Sequence, residues 1–298
     1  MSVPEIMKVS LSQFPTDKRF AQIPGKVVLT DNMDGDDIEE SKHPSFPVQV
    51  TMSISIICLS GQIDMEIDLK EYTLKSGDTA LFLPGSFFQL KKLHRGSKYL
   101  FISVSPTFLK FVGNIKTGVE FFTQLKEHPV HHPTPEELEE NISLYKALKE
   151  KLLDEEYVYK EDVAKAYLRI MQCNVFQEFG RAIGKLGKNL PMNRKDELFM
   201  LFMDAVKENY SKHRNISFYA DKLCVSPKYL SSVVYLVSGK YATDWINQFV
   251  VLEAKTMLRS DGISIKDVSN HLHFPNQSFF AKYFKQHTGY TPKEYRAL

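Results

Sequence analysis

Hydrophobic and polar residues alternate along the first third of the chain with the period of two that is typical of β-strands. Segment 63–70 shows this most clearly, and its apolar positions are Ile63, Met65, Ile67 and Leu69. This alternation predicts a strand with one buried face. Other strand candidates, separated by Gly, Pro or Asp turn signals, are 48–59, 79–83 and 98–104. Many short strands between such turns favour an antiparallel barrel or a double-sheet jelly roll.

Helical spacing begins at Thr134. A capping residue, a proline and two acidic residues (TPEE) form a helix start, and apolar residues follow at Leu138, Ile142, Tyr145, Leu148 and Leu152. A second helix is predicted from about Lys160 to Ile183, with apolar positions at Val163, Tyr167, Ile170 and Phe179. We expect a helical hairpin over 134–183. It either covers its own barrel or packs on a partner subunit, which makes it a candidate dimerisation element.

The segment 184–193 (GKLGKNLPMN) is punctuated by glycine and proline and lacks a long apolar pattern. It is therefore the predicted linker between two domains. The expected fold class is α+β: a β-barrel or jelly-roll domain over 1–133 with the helical hairpin over 134–183, followed by an all-helical domain over 194–298.

The helical tail contains an internal repeat. Apolar and small residues recur at an offset of 49 or 50, so that Ala220, Leu223 and Val225 match Ser269, Leu272 and Phe274, and Leu230, Val234, Gly239 and Trp245 match Phe280, Phe284, Gly289 and Tyr295. A small residue on a first helix, an apolar turn and an apolar inner face on a second helix are what a helix-turn-helix needs. Two such motifs are predicted, at about 217–238 and 265–287. A connecting helix of about 15 residues over 244–260, roughly 23 Å long, would join them.

The tail resembles the AraC/XylS family of bacterial transcription regulators over about 100 residues. The resemblance lies in Ser226–Leu230 (SPKYL), Leu252–Leu258 (LEAKTML), Phe274–Phe280 (FPNQSFF), Phe284–Lys285, Gly289–Pro292 (GYTP) and Tyr295–Arg296. Three places depart from the family pattern. His273 stands where glycine is usual, Ser269 where alanine is usual, and Val234-Tyr235 where Phe-Lys is usual.

The resemblance implies two recognition helices, Pro227–Ser238 and Asn276–His287, that enter successive major grooves about 34 Å apart. Their early outward residues are the expected base contacts: Lys228, Tyr229, Ser231, Ser232 and Tyr235 in the first helix, and Asn276, Gln277, Ser278, Ala281 and Lys282 in the second. Asn and Gln suit adenine, Lys suits guanine, and Ser suits several bases. Lys285 and Arg296 are expected to contact phosphate, which positions a protein without specifying sequence.

Composition and charge agree with this division. The 298 residues carry a net charge of +2, with 43% hydrophobic and 25% charged residues, which are ordinary values for a globular protein. From Met192 onward there are 15 basic and 10 acidic residues, a balance of +5, against −3 before it. Three scattered cysteines exclude a disulfide framework. Because no long apolar run occurs, we expect neither a signal peptide nor a membrane span, and a cytoplasmic location.

The front domain is expected to sense a signal. Segment 76–85 (SGDTALFLPG) looks like the Gly-Asp…Pro stretch of cupin-type jelly rolls, but residues 44–93 contain no histidine, and His128, His131 and His132 read as loop. We therefore expect no metal, no cofactor and no catalytic residue.

The expected function is a DNA-binding regulator, an activator controlled by a small molecule in the barrel. Two alternatives are a barrel that serves only dimerisation or protein contact, and a cupin enzyme. Double-stranded DNA, a small-molecule effector, RNA polymerase and a second copy of the chain are the expected partners, whereas a membrane is not.

Overall fold

The computed structural model describes residues 7–16, 19–33, 46–112, 124–182, 194–260 and 262–297. The described residues from 8 to 182 belong to one compact unit of strands and helices, and those from 194 onward belong to a second, helical unit. The predicted α+β class is therefore confirmed. The predicted linker 184–193 lies outside the described residues. Within the described part of the chain, no helix is long and apolar enough to cross a membrane.

The first unit is built on two sheets. Its strands are β1 Lys8–Val9, β2 Ala21–Ile23, β3 Val27–Asp31, β4 Val48–Val50, β5 Ser53–Ser60, β6 Gln62–Ile67, β7 Lys70–Lys75, β8 Thr79–Phe82, β9 Phe87–Leu93, β10 Lys98–Val104 and β11 Val130–His131. One sheet has the order β1-β4-β9-β6-β7 and the other β11-β8-β5-β10-β3-β2. Every pairing is antiparallel except that of β1 with β4. This is the expected double-sheet arrangement.

The segment 48–59, predicted as one strand, is divided between the two sheets. It pairs with β9 over Val48–Gln49, with β8 over Ile54–Ile57 and with β10 over Ser53–Ser60. The chain therefore turns a corner between the sheets near Thr51. The prediction that Leu69 continues the strand of Ile63 is also wrong. Residues 68 and 69 have positive φ values and form the tight turn between β6 and β7.

Two apolar cores explain why several strands read as continuous hydrophobic runs. Ile54, Ile56 and Cys58 on β5 face a core shared by both sheets, while Ile57 faces a second core under the helical hairpin. A strand that is buried on both faces loses its polar alternation.

The hairpin consists of α2 Pro135–Leu153 and α3 Lys160–Ala182, and a short α1 spans Pro106–Val112. Tyr145 and Leu148 of α2 pack with Leu168 of α3 on the six-stranded sheet, so the hairpin covers its own domain. Ile170, predicted as an inward position, is 44% exposed, because Leu168 and the neighbouring Met171 occupy the inner face instead. Ile183 lies outside the described residues.

His131 does not lie in a loop, as predicted, but in strand β11, which pairs with β8. Its ring nitrogen Nε2 lies 3.1 Å from a carboxylate oxygen of Glu178 on α3. His132 contacts Asp78 at 2.6 Å. Each of these two histidines therefore lies beside a carboxylate. Among the described residues, no group of three or more His, Cys, Asp or Glu side chains could hold a metal ion.

The second unit contains seven helices among its described residues: α4 Arg194–Asn209, α5 Ile216–Lys222, α6 Pro227–Ser238, α7 Ala242–Arg259, α8 Ile265–His271, α9 Gln277–Thr288 and α10 Pro292–Arg296. The connecting helix α7 has 18 residues, so it is about 27 Å long and exceeds the predicted length. It begins two residues earlier than the apolar pattern indicates, at Ala242, which is buried.

Candidate DNA-binding face

The same turn is built twice, once between α5 and α6 and once between α8 and α9. The amide N–H of Val225 donates to the carbonyl of Ala220 (3.0 Å), and that of Phe274 donates to Ser269 (2.9 Å). Between them the chain reverses through one residue with left-handed backbone geometry, Cys224 (φ 56°) in the first motif and His273 (φ 52°) in the second. His273 therefore keeps the turn that a glycine usually makes, at a conformational cost of about 1 kcal/mol.

The recognition helices α6 and α9 also end in the same way. Gly239 (φ 69°) and Gly289 (φ 82°) take left-handed conformations at the C-caps. One position earlier in each helix, the hydroxyl of Ser238 donates to the carbonyl of Val234 and that of Thr288 to Phe284, both at 2.7 Å. These two hydroxyls were not identified from the sequence, although their spacing of 50 is that of the repeat.

Buried side chains fix the inner face of each recognition helix. Leu230 and Val234 of α6 and Phe280 and Phe284 of α9 are fully buried, as the repeat predicts. The indole nitrogen of Trp245 donates to the Ser238 hydroxyl at 3.0 Å, which joins the connecting helix to the end of α6. At the other motif, the hydroxyl of Tyr283 donates to Asn247 Oδ1 at 2.7 Å. Helix α7 therefore holds both recognition helices by a hydrogen bond as well as by packing.

The opposite face of each recognition helix is a polar stripe at positions i, i+3, i+4 and i+7. We call these two stripes the reading stripes: Lys228, Ser231, Ser232 and Tyr235 on α6, and Ser278, Ala281, Lys282 and Lys285 on α9. Ser231 and Ala281 are half-buried, and the other six are exposed. Neither helix contains an acidic residue. The stripes can therefore approach phosphate groups without charge repulsion.

The structure corrects the expected role of Asn276. Helix α9 begins at Gln277, and Asn276 is its N-cap, whose Oδ1 accepts hydrogen bonds from the amides of Ser278 and Phe279, both at 3.0 Å. A bidentate pair with adenine needs one amide oxygen and one amide nitrogen. Because both lone pairs of Oδ1 are used in this cap, Asn276 supports the first turn of α9, and the bidentate adenine pair expected of it would require the release of a cap hydrogen bond. Gln277 is exposed at the first turn and keeps its predicted position.

Arg296 also has a different partner from the one expected. Its guanidinium donates to the carbonyls of Leu258 (3.2 Å) and Ile263 (2.6 Å), so it closes the C-terminal end of the connecting helix. This is a structural role inside the domain. Lys285, the other residue expected to contact phosphate, is exposed on the α9 stripe.

Phe279 is a functional candidate that was not among the predicted contacts. It is 60% exposed at the third residue of α9, and Tyr229, 50 residues earlier, is 43% exposed at the third residue of α6. An exposed phenyl ring beside a reading stripe suits the C5-methyl group of thymine. The signal that could have identified Phe279 is the repeat itself, which pairs it with Tyr229, a predicted contact.

Comparison with known proteins agrees with this geometry. Residues 219–298 match a family described as a helix-turn-helix domain. The arabinose operon regulatory protein of Escherichia coli is 25% identical over 138 residues, which are 40% of this chain and 47% of that protein. Residues 219–298 therefore form a helix-turn-helix domain, in a chain that is similar over part of its length to the arabinose operon regulatory protein.

Another relative is similar to part of the chain. The uncharacterized HTH-type transcriptional regulator YijO of Escherichia coli is 26% identical over 104 residues, 35% of this chain and 37% of that protein. The chain thus spans less than half the length of these curated relatives. Among solved structures, the unsaturated fatty acid bound ToxT of Vibrio cholerae is 14% identical, with a TM-score of 0.43, and covers 91% of this chain and 94% of its own.

Proposed function

We propose that the protein is a sequence-specific transcription regulator, whose helical domain reads DNA with α6 and α9 and whose double-sheet domain controls that reading in response to a small molecule. The observation that carries the proposal is the duplicated reading stripe. Two helices with the same C-caps, the same preceding turns and the same exposed positions are what two half-sites on one face of DNA require.

In this mechanism the six exposed stripe residues and Gln277 contact bases or the backbone, and the aromatic rings of Tyr229 and Phe279 contact thymine methyl groups. Lys285 binds phosphate. The positive balance of the helical part supplies a modest attraction to any DNA, and the stripes supply the sequence preference.

The test is selection of bound fragments from genomic DNA, followed by titration of the selected duplex with variants. Ser232→Ala and Gln277→Ala should each change the preferred base at one position of the site. Lys92→Ala, an exposed lysine of β9 in the other unit, is the matched control and should bind as the unaltered protein does. Failure to enrich any fragment, or unchanged base preference in both stripe variants, would contradict the proposed reading face.

Control by a small molecule is supported by the presence of a second unit with its own two cores and no counterpart of the reading stripes among its described elements. A ligand would shift DNA binding only by the difference between its affinities for two states. A thermal-shift screen of sugars, aromatic acids and other metabolites tests this. A ligand that raises the melting temperature should also change the affinity for the selected duplex. Activation through RNA polymerase is the expected output, and a reporter gene next to the selected site would measure it.

A second candidate role for this unit is self-association. Val158 and Tyr159 at the tip of the hairpin are 85% and 68% exposed, and Ile170 is 44% exposed on α3. Val158 and Tyr159 are adjacent in sequence, and a contiguous exposed apolar patch marks a candidate site of protein contact. Light scattering of the full chain and of a Val158→Asp variant distinguishes this role: a dimer that dissociates in the variant supports it, whereas a monomer in both excludes it.

A further inference from the structure

The loop between α4 and α5 touches both helix-turn-helix motifs. His213 in this loop stacks on Phe218 of α5, with ring centroids 3.7 Å apart and an interplanar angle of 2°. The hydroxyl of Tyr219, also on α5, donates to the carbonyl of His213 at 2.6 Å. The loop is therefore fixed to the first motif.

Arg214, the next residue, reaches the second motif. Its guanidinium carbon lies 3.9 Å from the ring centroid of Phe274, and one of its nitrogens donates to the carbonyl of Leu272. Both partners belong to the turn between α8 and α9. Phe274 in turn packs on Phe280 and Tyr283 of the recognition helix, with centroids 5.3 and 5.1 Å away. Arg214 thus connects the start of the first motif to the turn that aims the second recognition helix.

The contact between Arg214 and the turn is not duplicated in the repeat. The residue 49 positions after Arg214 is Ile263, a buried aliphatic residue, so the motifs do not both carry such an arginine. The guanidinium is half-buried, and burial lowers its pKa. Stacking on an aromatic face and donation to a carbonyl in a fixed fork are properties of arginine that lysine does not share.

We infer that Arg214 is a positioning residue that fixes the orientation of α9 relative to α6 and thereby sets the spacing between half-sites that the protein accepts. The inference depends on the proposed function, because it concerns how two reading stripes meet one duplex. Inserting one base pair between the half-sites moves the second by about 3.4 Å and turns it by about 34° around the helix axis. A rigid pair of recognition helices binds the duplex of altered spacing more weakly, whereas a pair that can rotate relative to each other retains affinity for it.

The test measures affinity for the duplex selected by the full-length protein and for versions with one base pair added or removed between the half-sites. We expect the unaltered protein to prefer the selected spacing by about tenfold or more. Arg214→Met keeps an unbranched apolar stem but removes the charge and the fork, and should lower this preference to about threefold or less. The affinity of this variant for the duplex with the selected spacing should fall by a smaller factor than its spacing preference does. If the Met variant does not fold, Arg214→Lys takes its place. It retains the charge but lacks the fork, so its preference for the selected spacing should also fall.

Val206→Ala is the control, because Val206 is fully buried on α4 and its truncation destabilises the same domain while Arg214 is retained. An unchanged spacing preference in the Arg214 variants would overturn the inference, as would an equal loss of preference in Val206→Ala. Absence of any DNA binding by the unaltered protein would instead refute the proposed function.

Discussion

Replacement of Asn276 separates support of the second recognition helix from the reading of bases. Asn276→Ala removes an acceptor that receives two amide hydrogen bonds of 3.0 Å. Loss of an N-cap of this kind costs about 1 kcal/mol of unfolding free energy. For a helical unit of this size, that loss lowers the melting temperature by roughly 5 °C. Because the frayed first turn carries Ser278 and Phe279, affinity for the selected duplex should fall without a change in which base is preferred.

Two variants make the interpretation decisive. Asn276→Ser keeps a capping oxygen and removes the amide, so it should retain both stability and base preference. Ser226→Ala removes the cap of the first recognition helix, where only the amide of Tyr229 donates to the hydroxyl (3.2 Å), and should cost less than Asn276→Ala. Urea unfolding and DNA titration measure these effects. An Asn276→Ala protein of unaltered stability would refute the capping role, and an Asn276→Ser protein with a new base preference would show that Asn276 reads a base.

Three further outcomes are expected. Ser269→Ala should raise the unfolding free energy by about 1 kcal/mol in urea titration, because the buried hydroxyl of Ser269 has no hydrogen-bond partner among the described residues; a loss of stability would contradict this. Lys285→Ala should reduce the log–log salt slope of DNA binding by about 0.9, so that it loses roughly 3.5-fold less affinity than the unaltered protein between about 50 and 200 mM salt. An unchanged slope would remove Lys285 from the phosphate contacts. The hydrogen bond from His94 lowers the pKa of Asp64 to about 2. The stability that Asp64 contributes is therefore complete above its unfolded pKa and is lost as the pH falls through about 2. His94→Asn should raise that pKa towards 3.8 in an NMR titration, and an unshifted pKa would exclude His94 as the cause.

The helical unit that carries the reading stripes was largely predictable from sequence, because its helices and turns depend on residues that are close together along the chain. Helix caps, C-terminal glycines and the spacing of Leu230, Val234, Phe280 and Phe284 are set by residues within one or two turns of each other. The same local rules extend to the turn at His273, where a non-glycine residue adopts the left-handed conformation that the duplicated turn requires. Because the motif occurs twice, the pattern of residues in one copy also predicts the structure of the other copy.

The double-sheet domain was predicted less well because its strands are long-range structures. A single apolar run from Val48 to Leu59 does not show that one part pairs with β9 and the next with β8 and β10. Where successive residues of a strand face two apolar cores in turn, the strand has no polar positions. Its sequence then does not show which face packs against which core. The strand containing His131 is two residues long and exists only because β8 offers it an edge.

Sequence by itself therefore determined that the chain carries two helix-turn-helix motifs, where each recognition helix lies, and which of its faces is buried. Only the tertiary structure decided what individual polar groups do. Asn276 accepts from amides of its own helix, Arg296 donates to carbonyls at and beyond the end of the connecting helix, and Arg214 donates to a turn 58 residues away. The physical reason is that apolar burial follows the period of the local backbone, whereas a hydrogen-bond partner is defined by which distant groups the fold brings within reach.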